Sequence, residues 1–328
     1  MNKLTKIGLS ALAGSLVAVS AHAGSMSVSG SASITISDAD VDNTQDSSST
    51  NSEGNLWTMG DSLTFTGGGE LDNGMTVAVS YEYDDDEADA NATSAEEGGF
   101  DTHSITLSSD EMGSIQFSGH GGDGALSAMD DKTPNAYEES WDITAGNTAP
   151  PGGMTANNMF TYKSPSVSGA VLTIGYVPGG SSGAPNGGYT DFGVTVSPEA
   201  IEGLTVGFAM GETEETVGTT IDEQAMYAKY SYGSLTVGYQ MNETDGSSTD
   251  LEFTALGATY AITDDITIGY NQSTIDKEGS ANDQESSGLS ASFTSGGMTI
   301  AGAMNSTDNN ANGTTDVEGY EFNLSFAF

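Results

Sequence analysis

The chain has 328 residues, with 47 Asp and Glu against six Lys and no Arg, so its formal net charge is −41. A charge of that sign and size excludes nucleic acid and other polyanions as partners. The absence of cysteine excludes a disulfide scaffold, a thiolate metal site and a cysteine nucleophile.

The first 23 residues read as a cleaved signal peptide. Lys3 and Lys6 start it, Ile7 to Val19 form a short apolar run, and Ala21-His22-Ala23 has the small-x-small form of a cleavage site. A mature chain beginning at Gly24 carries 4 − 47 = −43. No later segment has the ~18 consecutive apolar residues of a membrane helix. Gly is abundant at 44 and Pro scarce at 7, and Thr, Ser, Val, Ile and Tyr fill the segments between, a mixture that favours strands.

Those strands can be overlaid. Leu172-Thr173-Ile174-Gly175-Tyr176 recurs from Leu204, Leu235 and Ile266 and more loosely from Met298, at steps of 32, 31, 31 and 32. An earlier copy begins at Met75. A repeat of this period marks a repeated supersecondary unit. Each copy places large apolar residues on one parity and Thr, Gly, Ala, Gln or Asn on the other, which is the period of a strand with one greasy face. A second alternating strand lies between copies, so each repeat is a hairpin of strands about ten residues long, enough to cross a bilayer when tilted.

Turn chemistry agrees. Asp72-Asn73-Gly74, Gly233-Ser234, Thr263-Asp264-Asp265 and Ser295-Gly296-Gly297 are short and rich in turn formers. The opposite connections, such as 38–55, 84–99, 212–222 and 308–316, are long and acidic. Short turns at one end and long loops at the other mark a transmembrane barrel. The predicted architecture is all-β: a 16-stranded antiparallel transmembrane β-barrel. Its strands fall near 25–37, 61–71, 75–84, 102–109, 114–120, 158–165, 169–178, 189–198, 203–212, 223–232, 235–243, 250–262, 266–275, 285–294, 298–306 and 317–328. The last puts Tyr320, Phe322, Phe326 and Phe328 on one parity and closes the barrel against the first. A bare aromatic edge would be unusual on a soluble sheet.

The regular beat stops for 37 residues from Gly121 to Asn157. A connection this long without periodicity is uncommon in a compact domain. It holds Asp123, Asp130, Asp131, Glu138, Glu139 and Asp142 against Lys132, a buried-type anchor in Trp141 and a stiff end at Pro150-Pro151. Folded inward as loop 3, those six carboxylates would line the pore constriction and attract cations over about a Debye length, ~8 Å at physiological salt. Lys163 and Lys229 fall on the polar parity of their strands and are the candidates for the opposing wall. Glu82, Gln240, Asn271, Glu321 and Asn323 also point inward by parity.

The export segment, the sixteen strands, the terminal Phe328 and the long third loop together resemble the general porins of Gram-negative outer membranes, and especially the alphaproteobacterial porin family. Asp61-Ser62-Leu63-Thr64-Phe65 and Gly69-Glu70-Leu71-Asp72-Asn73-Gly74-Met75-Thr76-Val77 carry that resemblance locally. It covers the whole mature chain and implies a homotrimer in outer-membrane lipid, passing small hydrophilic solutes and inorganic cations by passive diffusion. Gly67, Gly68 and Gly69 would allow close approach between protomers. The family sets basic side chains opposite an acidic loop 3; a chain with no Arg departs from that pattern.

Other chemistry finds little footing. Asp38, Asp40 and Asp42 are spaced like the start of a calcium loop, but Asn43 stands at the sixth position and Ser49 at the twelfth, so an EF-hand fails. Ca2+ or Mg2+ held loosely on the acidic loops is the most that this pattern supports, and no other cofactor is implied. His103 and His120 belong to no catalytic triad or zinc motif, so no enzyme is expected. The alternative is a secreted acidic all-β adhesin or surface-layer protein, possessing a shared apolar core instead of a greasy exterior.

Overall fold

The computed structural model describes residues 24–40, 56–84, 100–144, 146–180, 187–216, 219–246 and 250–328. Residues 1–23, and with them the expected signal peptide, lie outside the described residues, as does Asp42. The strands are β1 (Ser25–Asp40), β2 (Leu56–Glu70), β3 (Thr76–Asp84), β4 (Thr102–Ser109), β5 (Gly113–His120), β6 (Gly122–Asp123), β7 (Thr155–Ala156), β8 (Met159–Lys163) and β9 (Ala170–Pro178). They continue as β10 (Gly188–Val196), β11 (Leu204–Thr216), β12 (Thr219–Tyr232), β13 (Leu235–Asp245), β14 (Leu251–Ala261), β15 (Ile266–Lys277), β16 (Gln284–Ser295), β17 (Met298–Asp308) and β18 (Val317–Ala327). All but β6 and β7 form one closed antiparallel barrel of sixteen strands; β6 and β7 pair with each other inside the long connection.

Alternation explains the wall. Along β13, Leu235, Val237 and Tyr239 stand 42%, 38% and 46% exposed, while Gly238, Gln240 and Asn242 between them are buried. The same inversion recurs on β15, with Ile268 and Tyr270 exposed beside buried Asn271 and Ser273. Apolar side chains therefore form the outside and polar ones the lumen, as a bilayer-spanning barrel requires. A secreted adhesin would need the reverse, an apolar interior, and that reading is set aside.

Closure is made by the C-terminal strand. β18 pairs with β1 in the register Ile34↔Leu324 and Ile36↔Phe322. The backbones of Gly30 and Phe328 exchange both hydrogen bonds at 2.9 Å. Tyr320, Phe322, Phe326 and Phe328 all stand exposed on the outer face, so this strand leaves no edge. At the short-turn end, Gly74 takes φ +81 in the turn between β2 and β3, and Met75 N donates to Asn73 Oδ1 at 3.1 Å.

Several strands run further than the sequence pattern indicates. β2 starts at Leu56, five residues earlier than expected, because Leu56 to Gly60 pair with Ser33 to Ser37. β1 reaches Asp40, and β11 and β12 extend over acids read as loop, with Glu212 opposite Asp222. An alternation of charged and small residues carries no apolar signal, although its backbone continues the ladder.

Candidate functional site

The segment 121–157 leaves β5 at Gly121, whose φ is +63. It closes on itself at its root, where Gly122 and Asp123 pair with Ala156 and Thr155. Beyond the root its partners are lumenal residues of the later strands, most of them buried. Leu126 N donates to Asp191 Oδ2 on β10 at 2.9 Å, Lys132 N to Gln240 Oε1 on β13 at 2.7 Å, and Ala136 N to Ser290 Oγ on β16 at 3.0 Å. Tyr137 OH donates to Glu321 on β18. Asn305 Nδ2 on β17 donates to Glu139 O at 2.6 Å. The return limb is tied by Thr148 N to Gln284 Oε1 at 2.8 Å and by Asn242 Nδ2 to Pro151 O at 2.7 Å. Trp141 is buried edge-on against Phe253, 4.9 Å between centroids at 84°, a favourable aromatic geometry.

Such close seating needs a wall without side chains. A Cβ at Gly238 would stand 2.5 Å from Pro134 Cδ, at Gly269 2.8 Å from Ala136 N, and at Gly319 2.8 Å from Ile143 Cγ2. One at Gly257 would collide with Pro134 O, and one at Gly288 would sit 3.2 Å from Ser140 Cα. Gly238 and Gly269 are the fourth residues of the repeated motif. Their smallness was legible in the sequence; their purpose, a bed for the segment, was not. Asp191, Gln240, Ser290 and Asn305 were likewise missed as anchors, apart from the inward parity of Gln240.

Loop contacts thus run from Thr161 on β8, which donates to Asp123 O at 2.7 Å, round to Glu321 on β18. The facing arc, β1 to β5, carries hydroxyls. One register row across it reads Ser27, Thr66, Ser80, Ser104 and Ser118, the last of them buried against Gly122 at the segment's root. Ser27 Oγ and Thr66 Oγ1 lie 2.6 Å apart, and Ser31 Oγ and Ser62 Oγ 3.1 Å. No Lys occurs on these five strands. The charges on their lumenal parity, among the described residues, are Glu70, Glu82 and Asp84.

The six carboxylates expected in the segment separate into groups. Glu138, Glu139 and Asp142 each offer an oxygen within 4.8 Å of the others, a spacing able to share one divalent cation. Asp131 and Glu321 lie within electrostatic reach of Glu138. Asp123 sits back at the root, accepting from Thr155 Oγ1 at 3.2 Å, and Asp130 is half-buried near it. Crowding and burial hold protons on the acids. Burial raises Asp131 to about 6, with Asp130 and Asp142 adding repulsion. Burial likewise raises Glu138 to about 7, helped by Asp142 and Glu321, and Glu139 is pushed well above the carboxylate range by burial and its bond with Asp142.

Lys163 and Lys229 do take the lumenal parity, but neither stands on the facing arc. Lys163 is exposed at the short-turn end of β8, and Lys229 is half-buried on β12 within reach of Lys132. Both belong to the segment's own side, because the segment lies along β8 to β18 instead of spanning the pore evenly. Asp38 has outer-face parity, opposite Tyr320, so it does not join the lumenal acids. Asp40 ends β1, and its side chain is outside the described residues.

A model of the Gram-negative porin family matches residues 8–312. No curated protein matches the chain. Similar solved structures include a porin refined at 1.8 Å resolution, with 17% identity and a TM-score of 0.67, covering 92% of this chain and 100% of that one. A multiply substituted porin of Rh. blastica aligns at 16% identity and TM-score 0.65, covering 92% and 100%. OmpT of Vibrio cholerae in its trimer form aligns at 12% and 0.63, covering 93% and 100%. At these identities the structures speak for the sixteen-stranded fold, while the family match speaks for the kind of protein. The chain belongs to the Gram-negative porins, outer-membrane β-barrel channels that conduct and carry out no reaction.

Proposed function

We propose that this porin passes small hydrophilic solutes by passive diffusion with a preference for cations, and that segment 121–157 forms its constriction. One observation carries the reading: Asp131, Glu138, Asp142 and Glu321 gather around Glu139 on the segment's side of the lumen, while the arc across from them offers hydroxyls and three acids but no Lys. A ring or patch of acids with nothing positive opposite concentrates cations and repels anions. Asp123 and Asp130 sit nearer the root and contribute less. Lys132 on the segment and Lys163 and Lys229 on its own side of the wall dilute the field without opposing it.

The chain is exported by its N-terminal segment and assembles as a homotrimer in outer-membrane lipid, as the similar OmpT of Vibrio cholerae does in its trimer form. Ca2+ or Mg2+ is held loosely at the acidic rim. What supports this is register: on the outer face Glu212 lies opposite Asp222, Glu243 opposite Glu252, Glu252 opposite Asp276, and Glu285 opposite Asp308. Like charges directly across a ladder destabilise it, and a divalent cation relieves them.

The test is the reversal potential of the purified protein in a planar bilayer under a KCl gradient, with and without added calcium. A potential favouring potassium, reduced when calcium masks the acids, is expected. A potential favouring chloride in the absence of calcium would sink the selectivity and leave the channel intact.

A further inference from the structure

Asp191 is the one carboxylate in the described lumen that is fully buried, at 0% exposure, and it does not face the pore. Its Oδ2 accepts two hydrogen bonds, from Leu126 N at 2.9 Å and from Tyr189 OH at 2.8 Å, while Oδ1 has no partner. Burying a carboxylate with one oxygen unmatched is costly, and an apolar residue of similar size would pack there more cheaply. The surroundings are nevertheless shaped for it. A Cβ on Gly124 or Gly175 would run into the carboxylate oxygens, and one on Gly211 would stand 2.8 Å from Asp191 Cβ.

The bond falls where the segment turns from its root into the lumen. Leu126 precedes the 3-10 turn Ser127–Met129, and Gly124 N donates to Ser127 Oγ at 2.8 Å. Leu126 and Met129 sink into an apolar cluster with Met159, Val177, Ala209 and Ala225. Gly153 of the return limb packs directly on Leu126, so whatever fixes Leu126 fixes both limbs. The next polar tie along the segment is at Gln240, where Lys132 N donates. We infer that Asp191 is a positioning residue: its bond to Leu126 N holds the constriction segment against the wall and keeps the pore open. This rests on the reading that the segment bounds the pore, and it adds a latch to that reading.

The experiment is single-channel recording from the full-length protein, comparing the parent with Asp191→Leu, Asp191→Asn and Asp191→Ala. Losing a hydrogen bond to a charged group shifts an equilibrium by about 10- to 100-fold. Asp191→Leu should therefore fold as the parent does and raise the closed-to-open ratio at a given voltage by that factor. Asp191→Asn keeps an oxygen for Leu126 N and should gate like the parent. Asp191→Ala should close like the Leu variant, and it decides the matter if the Leu variant fails to fold. A purely structural role predicts the reverse order, with the well-packed Leu variant quiet. Closures as rare in Asp191→Leu as in the parent, or as frequent in Asp191→Asn as in Asp191→Leu, would overturn the latch. The reversal potential, read from the same traces, reports on selectivity separately and is expected to stay at the parent's value throughout.

Discussion

The barrel wall has two arcs that are alike outside and unlike inside. From β8 to β18 the lumenal face seats a segment on its glycines, amides and small hydroxyls. From β1 to β5 it carries rows of Ser and Thr that hydrogen-bond one another, as Ser27 does with Thr66. Lipid imposes one rule on every outer face, so the outer parity cannot distinguish the arcs. The inner parity answers to whatever occupies the lumen: protein on one side, water and solute on the other. Positive charge is therefore missing from the hydroxyl arc, whose lumenal charges among the described residues are Glu70, Glu82 and Asp84.

Adding a cation to the hydroxyl arc should break that asymmetry most strongly. Thr64→Arg faces the lumen beside Glu82, in the register Thr64↔Glu82. A unit charge ~8 Å from a permeating ion changes its energy by ~0.5–2 kcal/mol at an effective dielectric of 80 to 20, or a factor of about 2–30 in permeability. The potassium-to-chloride ratio should drop by that factor, approaching unity, in the bilayer assay. At pH 8, where Glu138 is ionised, the same ratio should fall comparably in the triple variant Glu138→Gln, Glu139→Gln, Asp142→Asn.

The other arc is broken by steric means. Gly257→Ala places a methyl against Pro134 O, with Thr133 Cγ2 at 2.5 Å and Pro134 N at 3.1 Å. Overpacking of this kind costs about 1–3 kcal/mol, and the segment is the softer partner. It should move toward the hydroxyl arc, lowering single-channel conductance while leaving the ion preference in place. A Gly257→Ala channel conducting as the parent does would mean that the wall yields instead.

Acid acts on the carboxylates of the segment. Asp131 at about 6 and Glu138 at about 7 are ionised at pH 8 and neutral at pH 5. With a chelator present, cation preference should decline across that interval, well above the range near 4 where ordinary carboxylates lose charge. The stability sign runs the other way. Folded-state values raised above the unfolded ones, 3.8 and 4.5, mean that the seated segment binds protons more tightly than the unfolded chain. Its stabilisation by them is complete below those unfolded values and is lost as pH rises through 6 to 7. Protease cleavage within 121–157 should accordingly become faster from pH 5 to pH 8, and a rate independent of pH would contradict this.

Period two made the barrel legible, because alternation reports the two environments of each residue directly. All sixteen strands fall where that pattern places them, and the misses are at ends, where Leu56 to Gly60 lengthen β2 and where acids extend the ladder at Glu212 and Asp222. Trp141 was recognisable as an anchor by size alone, and Phe253 receives it. Lumenal parity for Lys163 and Lys229 was equally legible. Their arc was not, since it depends on which way a 37-residue segment with no period lies down. Asp191 stayed hidden for a related reason. Within Thr190-Asp191-Phe192-Gly193 it reads as one more lumenal acid, and only the arrival of Leu126, distant in sequence, buries it.

The smallest expected effect tests the claim that the hydroxyl arc is written for solvent. Ser62 Oγ lies 3.1 Å from Ser31 Oγ across β1 and β2 in an exposed setting. Water replaces an exposed partner readily, so Ser62→Ala should change stability by no more than about 0.5 kcal/mol and leave the reversal potential unmoved. Asn305→Ala on the opposite arc removes the 2.6 Å donor to Glu139 O from a buried site, and an unmet buried acceptor costs about 1–3 kcal/mol. Heat-modifiability on gels gives both midpoints. If Ser62→Ala proved as damaging as Asn305→Ala, the hydroxyls of the near arc would have to be supporting structure, and the two arcs would differ in composition but not in kind.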